Sequence, residues 1–81
     1  MEEIHMGKLI KMHLKQKGIK MQWLCEQMHC HRNTMYGILE RSWIDSYTLM
    51  RISIILNHDF FAELSAYYAD SKEHLKNSDV E

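Results

Sequence analysis

Proline is absent from this 81-residue chain, and glycine occurs only three times. With so few turn and breaker residues, and with many Leu, Ile and Met, an all-helical chain is favoured. Two cysteines cannot build a disulfide scaffold, and no signal-like segment opens the chain, so a reducing, cytoplasmic setting is expected. Long apolar runs are missing too. The longest, Ile54-Ile55-Leu56, falls far short of the roughly 20 residues that span a bilayer. Eighty-one residues also leave no room for a second core. No phosphate-cradling Gly loop and no paired-carboxylate motif appears, so the chain is not expected to be an enzyme or to carry a cofactor.

The formal net charge is only -1, but it is unevenly distributed. Residues 1–41 hold seven Lys and Arg against four acids, and residues 42–81 hold three against seven. The basic half contains the most organised stretch, Ile19 to Arg41. Met21, Leu24, Cys25 and Met28 stand at i, i+3, i+4 and i+7, one apolar face of a helix. Met35, Ile38 and Leu39 repeat the stripe on a second helix, whose other face carries Arg32, Asn33, Tyr36, Gly37 and Glu40. Only His29-Cys30-His31 separates them, enough for one sharp turn. Two helices joined so tightly, the second with a polar outer face, fit a helix-turn-helix that reads a major groove.

Around that stretch the pattern predicts five short helices about one core. Residues 1–5 read as a flexible N-terminal arm. A first helix spans Met6 to Lys17, with Met6, Leu9, Ile10 and Leu14 inward and Gly18 as its left-handed stop. The second begins at Met21 behind Lys20, a poor cap, and the third covers Arg32 to Glu40. Trp23 sits beside the core stripe and is read as packing. Asp45 or Ser46 caps a fourth helix built on Leu49, Ile52 and Leu56, with Met50 and Ile54 as a second apolar stripe suited to burial on two sides. Asn57 is a left-handed stop, and Asp59 caps a fifth helix running from Phe60 to Tyr67 or Tyr68. Residues 69–81, charged and aperiodic, are expected to be disordered.

This order of helices, with Gly18-Ile19, the short turn and Leu49-x-x-Ile52-x-x-x-Leu56, resembles the lambda-repressor-like Cro/cI (XRE) helix-turn-helix family over residues 6–68. Leu24 matches that family's core leucine, Cys25 its small residue for close helix approach, Cys30 its small turn position and Ile38 its late core position. The resemblance implies a five-helix bundle that binds operator DNA as a homodimer and regulates transcription as a repressor. It places Arg32, Asn33, Tyr36 and Gly37 where relatives touch bases. Gln22 falls one residue past the family's phosphate-binding glutamine. The chain departs from the pattern at His29, where relatives carry a turn glycine, at His31, where they carry a Ser or Thr cap, and at Gly37, which brings no side chain.

By chemistry, Arg32 can hold guanine O6 and N7 together, and Asn33 can do the same for adenine N6 and N7. Tyr36, one turn beyond Arg32, can reach a phosphate or a thymine methyl. Lys20, Gln22, Arg41 and Ser42 are phosphate candidates. Cys25, His29, Cys30 and His31 are metal-ligating types, but two of them are assigned to packed positions and no second pair stands at finger-like spacing, so no metal is expected. Phe60, Phe61, Leu64 and Tyr68 are the candidate dimer interface. The competing function is a protein-interaction module of the same fold, such as an antitoxin or phage-derived accessory factor, using Trp23, Trp43, Ile44 and the aromatic cluster of the fifth helix.

Overall fold

Five helices and no strand make up the described part of the chain in the computed structural model, which covers residues 3–79, with side chains through residue 73. They are α1 (Met6–Lys17), α2 (Met21–Met28), α3 (Arg32–Leu39), α4 (Ser46–Leu56) and α5 (Phe60–Asp79). The core takes one or two turns from each: Met6, Ile10 and Leu14; Leu24, Cys25 and Met28; Met35 and Leu39; Leu49, Ile52 and Leu56; and Phe60. Leu9, Met21 and Ile38, on the edges of their stripes, are half-buried against it. The expected all-α bundle is therefore present. Packing joins α1 to α3, α2 to both α3 and α4, and α4 to α5.

Three of the helices end the same way. Gly18, His29 and Asn57 each take a left-handed backbone, with φ of 69°, 56° and 53°. In each, the following amide reaches back to a carbonyl five residues earlier: Ile19 to Leu14 at 2.8 Å, Cys30 to Cys25 at 3.1 Å and His58 to Ser53 at 3.0 Å. This is the Schellman arrangement, which satisfies terminal carbonyls and sets the two linked residues side by side. Leu14 with Ile19, and Cys25 with Cys30, put an apolar pair at that point and so continue the core around the turn.

Helix starts are less uniform. Asp45 accepts the Thr48 amide at 2.9 Å, and that bond holds its carboxyl below the usual range. Asp59 accepts the amides of Phe61 and Ala62 at 3.0 and 3.1 Å. Lys20 and His31 make no side-chain cap. At α1 the cap is His5, whose Nδ1 accepts the Lys8 amide at 3.0 Å. Its other ring nitrogen must then carry the proton, and Nε2 lies 3.1 Å from the Glu40 carbonyl at the end of α3. The Met6 and Gly7 amides donate to the Ser42 and Arg41 carbonyls. Residues 3–5 are thus not a loose arm: Ile4 is half-buried on the core and His5 latches α1 to α3. Residues 1 and 2 lie outside the described part.

Gly7 is buried where α1 crosses α3, and a Cβ there would overlap the Leu39 carbonyl group. The close approach of the two helices therefore requires glycine at this point.

At the other end, α5 continues to Asp79 rather than fading at Ala69. The segment from Ala69 holds no Pro or Gly, so a helix already nucleated by its packed first turns gains a backbone bond with each further residue. The expected disorder of 69–79 is corrected accordingly, and residues 80–81 lie outside the described part. The molecule measures 48 × 21 × 21 Å, its length set by this helix. None of the described helices is long and apolar enough to cross a membrane.

Candidate nucleic-acid interface

An eight-residue helix can present a fixed outer face only if its inner face is anchored. In α3 the anchors are Met35 and Leu39, both 0% exposed, backed by half-buried Ile38. At 100° per residue, Arg32, Tyr36, Glu40, Asn33 and Gly37 fall within an arc of roughly 140° on the opposite side. All five are exposed. Arg32 with Tyr36, and Asn33 with Gly37, are neighbours one turn apart. Among the described residues the side chains of Arg32, Asn33 and Tyr36 make no hydrogen bond or ion pair, so their recognition groups are uncommitted.

Gly37 has no steric reason to be glycine. A Cβ there would meet nothing within 4 Å, and its φ is not left-handed. Glycine in an exposed helix interior costs about 1 kcal/mol relative to alanine, and the fold returns nothing for it.

The junction before α3 is three residues long, and its sharpness depends on His29. A non-glycine residue in the left-handed region is held there at a cost of about 1–2 kcal/mol. The compensation comes from the Schellman bonds and from Arg51 of α4, whose Nη2 lies 3.5 Å from the Met28 carbonyl at the end of α2. That position for Arg51 was not evident from spacing, because α2 and α4 meet only in the folded chain. Burial first, and then the neighbouring Cys25, push the Cys30 thiol up, and the two free cysteines, Cys25 buried and Cys30 half-buried, serve as packing groups. No group of three or more His, Cys, Asp or Glu among the described residues is arranged to hold a metal ion.

The phosphate candidates lie outside α3, at the start of α2 and in the loop that follows α3. Lys20 is exposed at the start of α2, and Gln22 is exposed with its Nε2 3.3 Å from a Glu26 carboxylate oxygen. Arg41 is exposed, whereas Ser42 is half-buried and its carbonyl holds the start of α1. Trp23 is 42% exposed rather than packed away; with Gly18, Ile19 and Lys20 it lines an open apolar hollow of about 460 Å³. Its position beside the α2 stripe turns the ring outward, next to the residues that follow α1.

Of the four candidate dimer residues, Phe60 is excluded. It is fully buried, with its ring edge-on to His13 and His58 at 5.6 and 4.5 Å. Phe61 and Leu64 pack partly on the core, and Tyr68 is 62% exposed. On α4, Met50 and Ile54, expected to be buried on a second side, are instead 51% and 71% exposed. No protein-family model, curated protein or solved structure matches this chain.

Proposed function

We propose that this protein is a sequence-specific DNA-binding regulator of repressor type, non-enzymatic and cytoplasmic, with α2 and α3 as a Cro/cI-like helix-turn-helix and α3 lying in the major groove. The observation that carries this reading is the outer face of α3. Arg32, Asn33 and Tyr36 stand exposed and uncommitted on a helix whose inner face is locked by Met35 and Leu39. Gly37 adds a gap in the side-chain layer where a DNA edge can approach the helix backbone. The basic excess of residues 1–41 gives the same half of the molecule attraction for phosphates. Lys20, Gln22, Arg41 and Ser42 are the phosphate contacts of this reading, and the operator is an inverted repeat bound by a homodimer.

A second reading, a protein-interaction module of the same fold, rests on the exposure of Trp23 and Trp43, at 42% and 52%. The two make different demands on Arg32. In a base-reading helix, Arg32→Ala weakens binding by about 1–3 kcal/mol at one base pair and relaxes preference there. Titrating the variant against duplexes substituted at each position reads this directly. Uniform weakening on all sequences would make Arg32 a phosphate contact, and unchanged affinity would remove α3 from the interface.

A further inference from the structure

α4 contains a single charged residue, Arg51, among its eleven. At 100° per residue, Ser46, Tyr47, Met50, Ser53, Ile54 and Asn57 lie within an arc of roughly 120°, and none is charged. Tyr47 and Ile54 are each 71% exposed and Met50 is 51% exposed. The helix has already used its other side, Leu49, Ile52 and Leu56, in the core. Together the three exposed side chains offer on the order of 400 Å² of largely apolar surface, within the range of the largest patch on a typical monomer, which is often functional.

The stripe has relief as well as hydrophobicity. At its C-terminal end is an open groove of about 580 Å³ between Met50, Ile54 and Phe61, with His58 and Asp59 on its rim. At its N-terminal end Tyr47 projects, with the Arg51 guanidinium 5.9 Å from its ring centroid. Arg51 also reaches the Met28 carbonyl, so the ring is steadied by a side chain held on the body of the protein. One face thus carries a projection and a hollow at opposite ends.

We propose that this face binds a second copy of the chain, α4 against α4, about a two-fold axis near Met50. Tyr47 stands about one turn before Met50, and Ile54 about one turn after it. An antiparallel crossing at Met50 therefore sets Tyr47 of one copy onto Ile54 and the groove of the other, and does so twice. The six residues of the stripe bring no charge to repel a second copy. The one acid of the groove, Asp59, lies at the end where the other copy brings Tyr47 with Arg51 beside it, so the pairing sets unlike rather than like charges together. Ser46, Ser53 and Asn57 form a polar rim and extend the area toward the roughly 800 Å² per partner of a stable dimer. The pairing deepens the dimeric part of the reading above and moves its interface from α5 to α4. It needs no DNA, so the two can fail separately.

Sedimentation velocity on the full chain without DNA tests it. The wild type is expected to sediment at twice the 9.8 kDa monomer mass at high micromolar concentration. Ile54→Glu and Met50→Glu each place a carboxylate in the interface and are expected to weaken the dimer roughly 100-fold, leaving monomers with unchanged helical circular dichroism. Both sites are more than half exposed, so the fold tolerates the change. Tyr68→Glu, on exposed α5, is expected to leave the dimer intact. A monomeric wild type, a dimer surviving both α4 variants, or a dimer broken by Tyr68→Glu would overturn the proposal.

Discussion

Gly7 and Gly37 are both helical, and they are glycine for opposite reasons. Gly7 is sealed against the Leu39 carbonyl, where a methyl group has no place to go. Gly37 faces open space, and the fold gains nothing from it. If the outer face of α3 lies against DNA, the gap at Gly37 belongs to binding. Gly37→Ala should then raise stability by about 0.4–1 kcal/mol while weakening DNA affinity. Thermal melts and a binding titration on the same sample check both signs; a stabler variant that binds as well as the parent would detach Gly37 from the interface. His29 departs in a related way. It occupies a left-handed position with an ordinary Cβ, and Schellman bonds plus the core contact of Cys25 with Cys30 hold it there.

Most helix boundaries were legible because their signals are local. Gly18, Asn57, Asp45 and Asp59 announce ends and caps through chemistry confined to a few neighbouring residues. The apolar stripes likewise identified the core of α2 and α4 almost residue for residue. What escaped was set by distant parts of the chain: the His5 latch onto Glu40, the Gly7 crossing and the Arg51 bond to Met28. The outward residues of α3 were readable from its period, whereas the exposure of Trp23 and the burial of Phe60 depend on how the helices pack. Phe60 opens α5, so a residue read as surface is drawn inward by the helix packing onto α4.

His13 belongs to the same class, a histidine on the buried side of α1. Its ring centroid lies 4.5 Å from that of His58, whose Nε2 is 3.0 Å from Glu63, so this corner joins α1, the α4–α5 turn and α5. Burial first, then His58 and Lys17, lower the His13 pKa from its ordinary 6.5, against a smaller opposing pull from Glu63. In the unfolded chain His13 takes up a proton near pH 6.5, while the folded chain resists it until lower pH. Its contribution to stability is therefore complete above 6.5 and is lost as pH falls below that value. Melting temperature should drop more steeply between neutral and mildly acidic pH in the wild type than in His13→Leu. Parallel slopes would mean that His13 is not the group responsible.

On the scale of the molecule, three surfaces divide the work. The α3 face offers uncommitted polar groups in the basic half, the α4 stripe offers an uncharged face able to meet itself, and exposed Trp23 borders a separate hollow. α3 packs on α1 and α2, while α4 packs on α2 and α5, so the first two surfaces are carried by different helix pairs around a shared α2. A dimer formed through α4 can thus leave α3 uncovered. Selection of bound duplexes from a random pool, followed by titration of the winner over a range of salt, tests whether α3 reads DNA. An inverted repeat with half-sites about one helical turn apart, bound with an affinity that falls steeply as salt rises, is the predicted result. Failure to retain any duplex, even at low salt, would contradict it.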